Sequence, residues 1–376
     1  MMEYRKARPD ELGKVIDFIN LVFSMAHEPH DFKELLPKAY GDGACAMPEH
    51  YIAIEDGRIE GLVGLWEGVQ HVLGETIKTG VIGSVSAHPY AKGKGHMKAC
   101  MTMALEDAKA KGIELLSLGG RRQRYEYFGF TQGGLGLHFG LGEDNFRHGM
   151  RAVDASPYTF EEIGPFVAQA HALHAAQPVY AERGEADFAL ICRSWNKKAT
   201  AILKNGAFAG YLVGKFDEMI TEMNLTDEAD CEGVLKAWHL AHGSRRVEIA
   251  APVWNKQRVR TLSKVAGSGR SGWIEMFRIE NFAKIVRLWL SLKASYARLT
   301  DGRFVLETEG ERIAIEVKDN VVSVQKTGDA PDAVFSRLQA QDLLLASLRW
   351  TDTDALPACV ENWFPLPVSM YSADGF

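Results

Sequence analysis

The chain has 376 residues, of which 46% are hydrophobic and 24% charged, a composition that excludes disordered and fibrous architectures. At roughly 150 residues per domain, this length indicates more than one domain. Lys and Arg number 43 against 49 Asp and Glu, and the net charge of −6 argues against a general nucleic-acid or anionic-membrane surface.

The cysteines are widely spaced and include no C-x-x-C pair. They are Cys45, Cys100, Cys192, Cys231 and Cys359. This pattern indicates neither a disulfide framework nor a zinc site. The N-terminus is charged without an apolar signal core, and no uncharged apolar run approaches the ~18 residues that span a bilayer. We therefore expect a cytoplasmic protein that binds no metal, membrane or nucleic acid.

The first part of the chain mixes helix and strand patterns. Apolar residues over 15–23, after an acidic turn, predict an initial helix. The turn dipeptide Asp56-Gly57 between two apolar runs, 51–55 and 59–66, predicts a β-hairpin. A strand, a helix and a strand follow, over 79–87, 98–111 and 113–118.

The pattern strand, helix, strand occurs again beyond residue 148, over 219–225, 231–242 and 247–251. The turn after its first strand, 226–230, is acidic and lacks glycine, whereas the corresponding turn of the first unit is basic and glycine-rich. Phosphate groups need accessible backbone N–H groups and favourable charge. The sequence therefore predicts that only the first unit binds phosphate.

From about residue 282 the pattern changes again. It predicts an amphipathic helix around 285–292, then three strands and a second helix, over 303–309, 312–317, 321–327 and 338–348. The final stretch, 363–371, is too apolar for a free tail. We expect it to pack into the protein.

The most informative segment, 88–97, lies between a predicted strand and a predicted helix. A glycine-rich turn that opens a helix presents unpaired N–H groups and the positive helix end, and both favour a bound pyrophosphate. The residues we assign to this site are Lys92, Gly93, Lys94, Gly95, His96 and Met97. The alternative is an ordinary strand-to-helix turn with solvated lysines.

This segment resembles the acyl-CoA-binding loop of the GNAT acetyltransferase superfamily, whose pattern is Arg or Gln, two residues, Gly, one residue, then Gly or Ala. Here Lys92 occupies the first position and Met97 the last, so the match departs from the pattern at both ends. In the superfamily the preceding strand splays from its neighbour and pairs with the pantetheine arm. The resemblance implies this role for Val85, Ser86 and Ala87.

A second segment, 125–130, resembles the superfamily's Tyr-x-x-x-Gly-Phe motif. In that motif the tyrosine hydroxyl lies close to the CoA sulfur, so the resemblance implies that Tyr125 protonates the departing thiolate. Two alternatives stay open. Tyr127 could be the acid, or Tyr125 could be a half-buried aromatic with a packing role.

The order of these segments resembles the enhanced intracellular survival acetyltransferases over essentially the whole chain. The resemblance implies an α+β fold with two tandem GNAT-like domains, each a mixed central sheet with flanking helices, and a sterol-carrier-like α+β domain. The expected bounds are 1–148 for the catalytic, CoA-binding domain, 149–281 for a second domain without the pyrophosphate loop, and 282–376 for the last. In that family a C-terminal Phe carboxylate acts as base, a role implied here for Phe376.

The resemblance implies an acetyl-CoA-dependent N-acetyltransferase that acts by direct attack in a ternary complex. Its partners would be acetyl-CoA as cosubstrate and a small-molecule or lysine-type primary amine, and we also expect a homo-oligomer. A protein of a different class stays open as an alternative, because Lys92 and Met97 depart from the loop pattern. It is a non-catalytic ligand-binding or sensor protein that uses the sterol-carrier-like domain and has a vestigial CoA site.

Overall fold

The structure, a computed structural model, describes residues 2–215 and 218–375. Up to residue 133 the strands are β1 (Met2–Lys6), β2 (Glu49–Glu55), β3 (Arg58–Val72), β4 (Glu75–Ala87), β5 (Leu115–Leu118) and β6 (Thr131–Gly133). The helices of this part are α1 (Leu12–Ala26), α2 (Phe32–Leu35), α3 (Pro37–Tyr40), α4 (His96–Ala110) and α5 (Arg122–Tyr125).

The middle of the chain supplies nine further strands among the described residues. They are β7 (Gly136–Gly142), β8 (Tyr158–Glu162), β9 (Val179–Ala181), β10 (Lys198–Lys204), β11 (Ala207–Lys215), β12 (Met219–Leu225), β13 (Arg246–Ala251), β14 (Ser268–Gly272) and β15 (Glu275–Ile279). Its helices are α6 (Val167–Ala175), α7 (Phe188–Cys192), α8 (Cys231–His242) and α9 (Lys256–Val265).

The last part begins with a long helix and continues with a small sheet. Its elements are α10 (Phe282–Tyr296), β16 (Gly302–Thr308), β17 (Glu311–Lys318), β18 (Val321–Lys326), β19 (Ala333–Phe335), α11 (Arg337–Leu345) and α12 (Cys359–Trp363). None of the helices within residues 2–215 and 218–375 has the length and apolarity needed to cross a membrane.

The strands form three sheets. The first has the order β1-β2-β3-β4-β5-β15-β6, with β9 added beside β3, and the second has the order β14-β7-β13-β12-β11-β10-β8. Each of these two contains one parallel pair, β4 with β5 and β12 with β13. The third sheet has the order β18-β17-β16-β19. The prediction of an α+β fold with mixed sheets is therefore confirmed.

The first two sheets exchange strands. β7 follows β6 after two residues of chain yet lies in the second sheet, whereas β15 lies between β5 and β6 in the first. Met276 is in register with both Leu118 and Gln132. The division into three domains stays a prediction, but the sheets do not follow its boundaries, since residues beyond 148 complete the first sheet.

The predicted hairpin is present, and its turn has the expected conformation. Asp56 and Gly57 have φ angles of 50° and 79°, and Glu55 is in register with Arg58. Such a two-residue turn needs positive φ at both positions, which Asp and Gly tolerate. β3 extends to Val72 and so reaches well past the predicted end of the strand.

The last part of the chain shares a hydrophobic core with the first. Trp289 of α10 is fully buried in a cluster that also contains Ile77 of β4 and Phe304 of β16. The final stretch packs into the same core, with Trp363 and Leu366 fully buried, as its apolar sequence predicts. The C-terminal tail is thus held inside the protein.

Candidate active site

The first sheet opens along its parallel strand pair. β4 and β5 are in register at three positions, ending with Val81 opposite Ser117, and then diverge. A bulge in the β3–β4 ladder and a φ of 52° at Ser84 accompany the divergence. A cavity of about 910 Å³ lies at this opening, and residues 82–87 of β4 line it. We call it the first cavity.

The glycine-rich loop lies on this first cavity. Gly93 and Gly95 have φ angles of 83° and 85°, and a Cβ at either position would meet nothing within 4 Å. Helix α4 begins directly afterwards, at His96. Its first N–H groups have no partner within the helix, so they and the positive helix end are available to an anion at the cavity.

Most residues predicted for the cofactor site come together here. Those that line the first cavity are Val85, Ser86, Ala87, Lys92, Gly93, Gly95, His96 and Met97. Lys94 does not line it and is exposed on the loop. The His96 ring is buried and its Nδ1 lies 2.9 Å from the Tyr4 hydroxyl.

Tyr125 also lines the first cavity. Its ring packs on Gly120, where a Cβ would lie only 2.2 Å from Cε2, so glycine is required to admit the ring. Burial raises the pKa of the Tyr125 phenol, and the phenol therefore stays protonated at neutral pH. Tyr127, the alternative acid, is 68% exposed and lies outside the cavity lining.

The last described residues of the C-terminal tail are held by a buried lysine of α3. Lys38 of α3 is fully buried, and its Nζ donates to the carbonyl oxygens of Ala373 and Gly375 at 2.6 and 2.7 Å. Two residues on, the Tyr40 hydroxyl lies 2.9 Å from Oγ of Ser84 on the cavity wall. Phe376, the predicted base, follows Gly375 but lies outside the described residues.

A second buried cation holds the tail to the second sheet. The Asp374 carboxylate accepts hydrogen bonds from Nε and a terminal nitrogen of Arg183 at 2.7 and 3.0 Å. Arg183 also donates to Glu222 of β12, and all three side chains are buried. The tail is therefore fixed between Lys38 on one side and Arg183 on the other.

The parallel pair of the second sheet also diverges, but its gap is filled. β12 and β13 are in register at only two positions, ending with Ile220 opposite Ile249. The buried guanidinium of Arg258 donates to the Met223 carbonyl of the diverging strand and to the Glu228 carboxylate. One backbone carbonyl of the diverging strand, that of Met223, is thus already bound in this gap.

Four residues of these arrangements were missed by the sequence analysis: Lys38, Arg183, Asp374 and Glu275. Lys38, Arg183 and Asp374 hold the tail, and Glu275 lies beside Gly119 at the end of β5. No motif marks them, because each lies far along the chain from the residues it contacts. Within residues 2–215 and 218–375, no group of three or more His, Cys, Asp or Glu residues is placed to hold a metal ion.

The comparisons with known proteins agree with this geometry. Residues 3–133 match the family model of the acetyltransferase (GNAT) domain. None of the curated proteins matches the chain with significance. A GCN5-related N-acetyltransferase from Anabaena variabilis is similar in structure, with a TM-score of 0.71, 15% identity and 100% of each chain covered.

Two further solved structures share the fold. Eis1 from Mycobacterium abscessus has a TM-score of 0.66 at 12% identity, with 100% of each chain covered. A GCN5-related N-acetyltransferase from Kribbella flavida has a TM-score of 0.64 at 16% identity, and the match covers 91% of this chain and 88% of that one. Residues 3–133 of this protein thus match the acetyltransferase (GNAT) domain, and the chain as a whole shares the fold of these three proteins.

Proposed function

We propose that the protein is an acetyl-CoA-dependent N-acetyltransferase that transfers the acetyl group to a primary amine by direct attack in a ternary complex. One observation carries the proposal: the diverging strand, the glycine-rich loop and Tyr125 all line one cavity of about 910 Å³. These are the parts that the GNAT-type domain needs to bind a cofactor and to release its thiol.

The loop and strand would hold acetyl-CoA. The pyrophosphate lies at the N-terminus of α4, where the backbone at Gly93 and Gly95 is accessible and Lys92 and Lys98 line the cavity. The pantetheine arm pairs with the edge of β4 that faces β5, where the two strands diverge. On that edge, N–H groups within 85–87 polarise the thioester carbonyl.

Tyr125 would act on the leaving group. The amine attacks the thioester carbonyl, the C–S bond breaks, and the phenol gives its proton to the departing sulfur. A phenol whose pKa is raised by burial carries that proton throughout the neutral range. No covalent enzyme intermediate is needed, because the cavity can bring both substrates together.

The carboxylate of Phe376 would face the acceptor amine and help to deprotonate its ammonium form. Support comes from the residues just before it, since the Gly375 carbonyl is bound by Lys38 and Asp374 by Arg183. A tail that is fixed on both sides can hold a terminal carboxylate in one place. The position of this carboxylate therefore matters more than its charge alone.

We also propose the finer domain organisation: a catalytic GNAT domain, a second GNAT-like domain and a sterol-carrier-like domain. The second sheet supports it, because β10, β11, β12 and β13 repeat the antiparallel, antiparallel and parallel pairings of β2, β3, β4 and β5. The small third sheet with its flanking helices α10 and α11 is compatible with a separate α+β unit.

A thiol-release assay tests the proposed function. Acetyl-CoA is incubated with the protein and a panel of polyamines, aminoglycosides and lysine peptides, and free CoA is measured over time. We expect release that depends on the amine, with mass spectrometry showing one added acetyl group on it. A protein that binds acetyl-CoA but releases no CoA with any amine would be a ligand-binding or sensor protein instead.

A further inference from the structure

A second cavity, of about 390 Å³, lies where the two large sheets and the tail meet. Gly375, Trp195 and Glu275 all line it. Trp195 lines the first cavity as well, so the two spaces adjoin. The residue that precedes the C-terminal Phe376 therefore shares this cavity with the Glu275 carboxylate of β15.

Glu275 has an unusual environment for a glutamate. Within the described residues its carboxylate makes no hydrogen bond and no ion pair, although the side chain is partly buried. Glu248, on the same cavity, is paired with Arg270 and lies 3.5 Å from His138. Buried carboxylates are normally paired, so an unpaired one is a candidate for binding or proton transfer.

The position of Glu275 links it to Tyr125. A Cβ at Gly119 would lie 3.3 Å from Oε2 of Glu275, and a Cβ at Gly120 would overlap the Tyr125 ring. Gly119 and Gly120 both line the first cavity, at the end of β5. The carboxylate and the phenol thus pack against adjacent glycines at the point where the strands diverge.

None of the described titratable groups that line the second cavity with Glu275 lowers the proton affinity of its carboxylate by forming an ion pair with it. Burial raises the pKa of the Glu275 carboxyl to about 7. The titratable groups that line the second cavity with it are His138 of β7, Glu248 of β13, and Lys197 and Tyr371. None of them forms an ion pair with Glu275, and Lys197 instead lies 3.4 Å from the Ser372 carbonyl oxygen.

We propose that Glu275 accepts the proton of the acceptor ammonium, and that the second cavity holds this cationic substrate. The role rests on the acetyltransferase function proposed above. Glu275 takes one proton from the ammonium, and the neutral amine then forms the C–N bond. The C–S bond breaks as Tyr125 protonates the sulfur. The nitrogen then loses a second proton, which returns the Tyr125 phenolate to its neutral form. Glu275 releases the proton it accepted to water in the cavity.

This assignment resolves a difficulty with the terminal carboxylate. A C-terminal carboxyl group has an ordinary pKa of about 3.5, so it is a weak base toward an ammonium near pH 7. Efficient proton transfer needs a group whose pKa lies near the working pH. The Phe376 carboxylate then helps the deprotonation by positioning the ammonium, while Glu275 accepts the proton.

The pH dependence of kcat/KM tests the proposal with Glu275→Gln, which keeps the shape of the side chain. The wild type should lose activity below pH ~7 as Glu275 becomes protonated. Glu275→Gln should lack this acidic limb, and its kcat/KM at pH 8 should be lower by about 10²- to 10⁴-fold. Calorimetry should find that Glu275→Gln binds acetyl-CoA with unchanged affinity. The control variant Glu248→Gln should keep the acidic limb of the wild-type pH profile.

A second readout does not depend on turnover. Since the carboxyl pKa is higher in the folded protein than in the unfolded chain, the folded state keeps a proton that the unfolded state has lost between about pH 4.5 and 7. Across this window the stability of the wild type should fall relative to Glu275→Gln as pH rises, and the difference should level off above pH 7. A pH-independent difference would overturn the proposal.

The outcomes separate this proposal from the one it rests on. If the wild type acetylates no amine, the proposed function fails and the role of Glu275 fails with it. If the wild type is active and Glu275→Gln keeps both its rate and its acidic limb, only the role of Glu275 is overturned.

Discussion

Two parallel strand pairs, β4 with β5 and β12 with β13, begin in register and then diverge. At the first divergence the backbone lines an open cavity, and the loop that follows has two glycines with positive φ. At the second, Arg258 binds the Met223 carbonyl, and the Asp227 side chain accepts the N–H of Ala229 at 2.9 Å. The gap between the diverging strands is therefore open in the first sheet, whereas side chains of the protein itself close it in the second sheet.

The difference shows that the strand divergence alone does not make a cofactor site. In the second copy the loop carboxylates are already engaged, as Asp230 lies 2.7 Å from Nζ of Lys204 and 2.8 Å from the Tyr158 hydroxyl. A pyrophosphate there would meet negative charge and occupied N–H groups. We therefore expect loop composition, together with Arg258 in the second gap, to decide which gap can bind an anion.

The largest effect is expected for Tyr125→Phe, which removes the hydroxyl of the proposed acid and keeps the ring packed on Gly120. Turnover should fall by about 10²- to 10⁴-fold with acetyl-CoA affinity unchanged. The matched control is Tyr127→Phe, whose exposed hydroxyl lies outside the cavity and should not matter. An unchanged kcat in Tyr125→Phe, measured by thiol release, would assign the proton to another donor.

A smaller loss is expected when one glycine is appended after Phe376. The addition moves the terminal carboxylate by about 3.5 Å and can leave the ring in place. We expect turnover to fall at least about tenfold with little change in melting temperature. Phe376→Leu, which keeps the carboxylate at its position, is the control. Full activity of the extended protein would refute a role for the carboxylate.

Arg258→Met probes the gap between β12 and β13, which the Arg258 side chain closes. The variant removes the bonds to Met223 and Glu228 in the second gap, so it should lower the free energy of unfolding by about 1–3 kcal/mol. Acetyl transfer should stay at the wild-type rate, because the proposed cofactor site lies in the first gap. Arg260→Met, at an exposed position of the same helix, should change neither quantity. Chemical denaturation and the thiol assay provide the two measurements.

The smallest effect concerns the pH dependence of tail anchoring. Burial lowers the pKa of the Lys38 ammonium to about 7, so between pH 7 and 10.5 the unfolded chain binds a proton that the folded protein has lost. Wild-type stability should therefore rise with pH across this window relative to Lys38→Met. The exposed Lys33→Met should show no such slope. Thermal unfolding at several pH values would reveal whether this difference exists.

The parts of the site that are local in sequence could be predicted. The loop 92–97 and the motif at Tyr125 each combine turn chemistry and spacing within a few residues, and the structure brings them to one cavity. Their roles stay predictions. The packed C-terminal stretch could be predicted as well, because a run as apolar as 363–371 has to be buried.

The parts that depend on distant contacts could not be predicted. The exchange of β7 and β15 between sheets leaves no mark, since a short strand has the same apolar pattern in either sheet. Lys38 and Glu275 look like ordinary surface residues in sequence. Only the fold shows that Lys38 is buried against the tail and that Glu275, beside Gly119, has no partner among the described residues.

Isothermal titration of acetyl-CoA tests the central claim, that only the open copy binds the cofactor. The wild type should show one site per chain, and Gly95→Asp should weaken binding at least about tenfold, since it places a carboxylate and a strained positive φ at the pyrophosphate position. Gly206→Asp, at a glycine of similar φ (82°) in the second sheet, is the matched control and should bind normally. Two equivalent sites, or normal binding by Gly95→Asp, would contradict the account.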